Sequence, residues 1–283
     1  VVAGLKIVLA VVVYRLRRLE MANLAAATSI ALALHLPLFE VVWRTAFAFV
    51  LNVLVYLNND YVDVAIDLAS SDKDSDKTRY LSEHMGAALG AQWGLALALT
   101  VFAFVYDLGL LIPLVVGGGI CVWYSAYLKR IPYCDIPAMM VWGLAMPACG
   151  VPWNSVLGWA LATELGLFSG VFESIQVIRD ADEDALEGVR TTAVALGKNR
   201  TLWLARALMV VSTAYAALVL HPIAGVISAA ALVIPFPPHN VPRYWTHVKL
   251  TYGITWLFIV GYVFVERRSA GLLWAIDAAA AIK

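Results

Sequence analysis

Long apolar runs separated by short polar clusters set the pattern of this chain. Several runs approach the roughly 20 residues that cross a bilayer as a helix. None shows the period-two alternation of a membrane strand. Lipid offers no partner to unpaired backbone groups, so helices must dominate. Spans are predicted at 20–38, 41–60, 86–106, 109–128, 135–152, 155–178, 200–220, 222–236 and 249–266, nine helices in all. Turns are marked by His35-Leu36-Pro37, Asp107-Leu108-Gly109, Pro152-Trp153-Asn154 and His221-Pro222. The run Val1–Val13 is short for a span and leads into Arg15, Arg17 and Arg18. It reads as an interfacial helix, with a transmembrane placement as the alternative. Residues after Ser269 read as a short tail helix, and 1–283 as a single membrane domain.

Composition agrees with an all-α polytopic membrane protein. Hydrophobic residues make up 62% of the chain and charged residues 14%, against about 45–50% and about 25% in soluble domains. Twenty basic and 20 acidic residues cancel, so no net charge directs the chain to nucleic acid, and no obligate protein partner is inferred. Cys121, Cys134 and Cys149 lack metal-ligand spacing and read as small apolar residues. The five histidines lack it too; His84 is the nearest to an acidic cluster. No signal peptide is evident, and a start at Val1 rather than Met leads us to expect the native start upstream.

The predicted loops 61–85, 129–134, 179–199 and 237–248 are longer and more polar than those facing the other way. Fourteen Lys and Arg residues fall on the long-loop side and four on the other. By the positive-inside rule the long loops are expected in the cytoplasm.

Two acidic clusters sit at the polar ends of apolar segments on that side. One is Asn59, Asp60, Asp63 and Asp67; the other is Asp180 and Asp184. Carboxylates beside a membrane are costly and mark function by default. Residues four apart on a helix differ by only about 40° around its axis, so Asn59, Asp63 and Asp67 share a face, as do Asp180 and Asp184. Such hard oxygen ligands suit Mg²⁺, which is held by one or two carboxylates together with substrate phosphates. A solvated acidic helix end is the alternative for either cluster alone. A faint internal repeat, each acidic motif closing a span and preceding a basic loop, points the same way.

The run NDYVDVAID resembles the first Asp-rich motif of the UbiA superfamily of intramembrane prenyltransferases. DADEDALEGVRTTAVALG is similar to that family's second motif, at Asp180, Asp184, Gly188, Arg190, Thr191, Leu196 and Gly197. YSAYLKR is similar to a family element at Tyr124, Ser125 and Lys129. The resemblance implies a nine-helix bundle whose central cavity is capped on the cytoplasmic side and opens laterally to lipid. It implies an integral, multi-pass enzyme that moves an isoprenoid chain from a prenyl diphosphate to a lipophilic, aromatic acceptor. Asp63 and Asp67 would hold one Mg²⁺, and Asp180 and Asp184 a second. Asn59 and Asp60 would support the first metal. Arg79, Lys129 and Arg190 would grip the diphosphate, ahead of Lys77 and Lys198. Tyr124 is the first choice among Trp43, Phe47, Tyr56, Trp123, Tyr124 and Trp142 for stabilising an allylic cation.

Three departures from the family pattern stand out. Glu173, Gln176 and Val177 occupy the region where many members carry an extra Asp. Arg79-Tyr80-Leu81-Ser82-Glu83-His84 replaces the usual Arg-Pro-Leu-x-Ser-Gly, after the acidic loop SSDKDSDK. Asp135 opens the fifth span, as an acceptor-site base or as a helix cap. Two other functions compete. One is a UbiA-type terpene cyclase acting without acceptor. The other is a cation transporter, which would place its carboxylates nearer the bilayer midplane.

Overall fold

The computed structural model describes residues 2–18, 20–69, 75–237 and 239–272. The predicted tail helix lies largely outside them. Among the described residues every regular element is helical. Six helices are long and apolar enough to cross a membrane. They are α3 (Leu38–Val62), α6 (Met85–Tyr106), α7 (Leu108–Ala126), α9 (Val156–Leu186), α11 (Lys198–Leu220) and α13 (Val241–Glu266). Their outward faces carry bare apolar side chains such as Val105, Val115 and Leu257, as an integral membrane protein requires.

Three predicted spans are shorter than the sequence suggests. α2 is Ala22–Ala33, ended by His35 at φ 55° and by Pro37, which starts α3. α8 is Asp135–Ala145, after which Pro147, lacking a donor, turns the chain into a 3₁₀ stretch, Pro147–Gly150. α12, Pro222–Val233, is also short of span length. Other elements are longer. α9 has 31 residues and runs on through Asp180 and Asp184. α13 begins at Val241 because Asn240 caps it, accepting from the Arg243 amide at 3.1 Å. The predicted loop 61–85 holds two helices, α4 (Val64–Ala69) and α5 (Ser75–Glu83). α1 spans Val2–Arg17 and packs Ile7 and Val11 against Leu57, Leu81 and Ala88. It is not among the candidate spans.

The interior is α9 wrapped by its neighbours. α8 and α11 pack along its two sides, and α3 packs on α2, α6 and α7. Contacts are close where side chains are small: a Cβ added at Gly150 would lie 2.0 Å from the Ala27 carbonyl oxygen. At the end away from the acidic motifs, Arg44 of α3 is buried and ion-paired with Asp107. It also lies 3.4 Å from Glu40 and donates to the carbonyls of Cys149 at 3.3 Å and Val151 at 3.2 Å. Cys121 and Cys149 are buried free thiols, in keeping with an apolar role.

Candidate active site

Both acidic motifs open onto one cavity of about 150 Å³. α3 ends at Val62, but the Asp63 amide still donates to the Asn59 carbonyl at 3.0 Å, and the Asp67 amide to the Asp63 carbonyl at 2.8 Å. The helical spacing therefore carries across the break into α4, and Asp63 and Asp67 face the cavity together. Across from them α9 supplies Glu173, Asp180 and Asp184. Lys129 and Tyr124 complete the wall, from the end of α7 and the turn after it.

The polar contacts are specific. Lys129 Nζ pairs with Asp63. Tyr124 donates its hydroxyl proton to Glu173 Oε1 at 2.7 Å, and Ser125 Oγ donates to Asn59 Oδ1 at 3.2 Å. Thr191 Oγ1 donates to Asp184 Oδ2 at 3.2 Å. Arg179 grips Asp180 in a bidentate pair at 2.6 and 2.8 Å and lies over the Trp245 ring at 5.4 Å. Sequence reasoning missed Arg179. Its only signal was a basic residue next to a motif Asp.

The motif glycines have a backbone reason. Gly188 takes φ 72° where α9 stops, and the Val189 amide returns to the Asp184 carbonyl at 2.8 Å. Gly197, at φ 85°, separates α10 (Thr192–Leu196) from α11. The segment between them is strapped to α8. Asp135 is fully buried, accepts from the Thr192 amide at 2.7 Å and also pairs with the Thr192 hydroxyl. Its oxygens are thus occupied by the strap and by the Ile136 amide at 2.9 Å, a structural role rather than that of a base.

Not every expected residue reaches the cavity. Asp60 points away from it and is 2% exposed. It receives Arg15 at 2.5 Å and Lys77 at 2.7 Å. Arg15 also pairs with Glu20 at 2.5 Å. Burial opposes the Arg15 charge, but Asp60 and Glu20 outweigh it and raise the guanidinium pKa. Arg79 is exposed and pairs with Asp76 at 2.8 Å. Arg190 is exposed and is not on the cavity wall, and Lys198 pairs with Asp182 at 2.7 Å. Of the proposed diphosphate cations only Lys129 lines the cavity. Of the six aromatic candidates only Tyr124 does; Phe47 and Trp142 are core, and Trp43 and Trp123 face outward.

The donor set is hard oxygen and suits Mg²⁺. Among the described residues, however, no group of three or more His, Cys, Asp or Glu could hold a metal ion by itself. A cation here would need further ligands from water and from a bound anion.

A family model described as the UbiA prenyltransferase family matches residues 21–252. No curated protein matches the chain. A solved structure from work on digeranylgeranylglyceryl phosphate synthase in membranes superposes with a TM-score of 0.64 at 16% identity. The alignment covers 92% of this chain and 99% of that one. At that identity the likeness shows the fold alone.

Proposed function

The chain belongs to the UbiA prenyltransferase family, and on that premise we propose that it transfers an isoprenoid chain from a prenyl diphosphate to a lipophilic acceptor within the membrane, with Mg²⁺. The observation that carries this reading is the convergence of Asp63, Asp67, Asp180 and Asp184 on one cavity that also holds Lys129. The reaction breaks the allylic C–O bond, and its electron pair leaves on the diphosphate oxygen. The acceptor's nucleophilic atom then bonds to the allylic carbon and loses a proton. Two Mg²⁺ ions, held through Asp63–Asp67 and Asp180–Asp184, would supply electrostatic stabilisation of the departing charge.

This chain's own residues have distinct tasks in the proposal. Lys129 is placed to meet the leaving diphosphate, exchanging Asp63 for it. Tyr124, held by Glu173, puts an aromatic ring on the wall where an allylic cation would form. Ile66, Val177 and Val189 are the apolar part of the wall, and a bound prenyl chain beside them would help keep water from that cation. Asn59 acts by fixing the end of α3 to α7 through Ser125.

We further propose that the chain forms one nine-helix membrane domain over 1–283, with the cavity facing the cytoplasm. An aromatic acceptor is the first to test. The solved neighbour's name refers to a glyceryl phosphate product, so acceptors of that kind belong in the same screen. The purified protein is incubated with geranyl, farnesyl or geranylgeranyl diphosphate and Mg²⁺, with and without acceptors. Acceptor-dependent prenylation, abolished in Asp63→Ala and Asp184→Ala variants that still fold in detergent, is the expected result. A cyclic hydrocarbon formed without acceptor would replace transfer with cyclisation. Near-normal turnover in either variant would sink the two-metal assignment.

A further inference from the structure

A second cavity, of about 340 Å³, lies between α3, α6 and α7. Its walls are Leu54, Leu89, Leu114 and Val122, and no charged side chain lines it. Two amide side chains do: Asn58 of α3 and Gln92 of α6, 8% and 9% exposed. Among the described residues Asn58 Nδ2 and Gln92 Nε2 have no hydrogen-bond partner. An unmet buried amide donor is costly, by an amount comparable to a lost hydrogen bond or more, and in lipid water is not at hand to meet it.

The third wall is irregular in a way that suits a ligand. α7 is π-helical over Pro113–Gly118, and Gly118 forms part of the cavity wall. Such turns recur at functional sites because they widen the helix locally. Trp93, on the cavity rim, is 70% exposed, so the cavity meets the lipid-facing surface.

From these features we propose that the cavity is a binding site for an ester-linked membrane lipid, seated through its acyl carbonyl on Asn58 and Gln92. The acyl chain then leaves past Trp93 onto the lipid-facing surface. A carbonyl oxygen has two lone pairs and can accept from both amides. Asn58 stands four residues inside the end of α3, about 6 Å, the depth of glycerol-ester carbonyls just below the head groups. The absence of charged wall residues favours a neutral carbonyl over phosphate. The site is separate from the acidic cavity, and the proposal does not rest on prenyl transfer.

The test is native mass spectrometry of the full detergent-purified chain. The protein is titrated with dioleoylphosphatidylcholine and with its dialkyl ether analogue, which shares head group and chains but lacks the carbonyls. The ester lipid is expected to bind about tenfold more tightly, from two modest hydrogen bonds. An Asn58→Leu/Gln92→Leu double variant loses that preference. A lipid carrying a diazirine beside its acyl carbonyl labels the cavity wall on α3, α6 or α7, Trp93 included. Equal binding of ester and ether lipid to the unmodified chain overturns the proposal, as does labelling confined to residues outside that wall. Those two measurements stand even if the double variant does not fold.

Discussion

Replacing Asp60 with alanine should unfold the protein sooner without touching the chemistry directly. Asp60 belongs to the first acidic motif by position, yet it is buried against Arg15 and Lys77 rather than in the cavity. Both cations are nearly covered, each with a 9% exposed side chain. Breaking a buried ion pair by removing one partner costs about 3–5 kcal/mol, because charge is left uncompensated. Arg15 keeps Glu20 at 2.5 Å, and Lys77 keeps its place 4.1 Å from the Tyr14 ring centroid, so the lower end, about 3 kcal/mol, is expected. A triple change, Arg15→Met/Asp60→Leu/Lys77→Met, should recover most of that loss, since apolar replacement of a whole buried network is often neutral. Equilibrium unfolding in mixed micelles, followed by helical circular dichroism, measures both. Activity per folded molecule, assayed well below the unfolding range, should stay within a few-fold of the parent for Asp60→Ala. A stability change under about 1 kcal/mol together with abolished turnover would refute the reasoning and return Asp60 to the metal site.

Three further outcomes follow from the geometry. Lys129→Ala should cut turnover at least tenfold, whereas Arg79→Ala and Arg190→Ala should leave it within about threefold; steady-state kinetics on matched detergent preparations checks the contrast. Thr192→Val removes the hydroxyl donor to buried Asp135 while keeping the 2.7 Å amide bond, and should cost about 1–3 kcal/mol in the same unfolding assay. Gly150→Ala should destabilise by at least about 1–3 kcal/mol, because its new carbon would sit 2.0 Å from a backbone oxygen; an unchanged melting temperature would contradict the close packing of α2 on the Pro147–Gly150 turn.

The carboxylates that meet in the cavity were legible because their spacing is local. Four-residue steps define a helix face wherever the helix goes. Asp60 shows the limit of that reasoning: it adjoins Asn59 in sequence, but one residue turns about 100° around the axis, onto the side that faces α1. Arg79 and Arg190 carry the right charge in motif-like places, but tertiary packing leaves both at the surface. The spans were found with errors at their ends. Hydropathy falls after Ile178, yet the sequence DADEDAL is rich in Ala, Leu and acidic residues that tolerate a helix, so α9 continues. Pro37 opens α3 and Pro147 opens the 3₁₀ stretch after α8, so both preceding helices stop short of their hydropathy bounds. Glu173 was an open choice between a site role and packing, and its contact with Tyr124 comes from a partner 49 residues away, beyond the reach of any local pattern.

Arg44 has a mechanical consequence. At its end of the bundle one guanidinium fastens α3 to Asp107 behind α6 and to two carbonyls behind α8. At the other end Lys129 pairs with Asp63 and Tyr124 with Glu173 on the cavity wall, beside the Ser125–Asn59 bond, and an incoming polyanion competes for the Lys129 contact. The Arg44 rim is held by buried contacts, and the exchangeable contacts lie on the cavity wall, so the bundle has more freedom to widen there. Substrate exchange should therefore work like tweezers about the Arg44 pivot, with distances between paired spin labels broadening at the acidic rim and staying narrow at the riveted one.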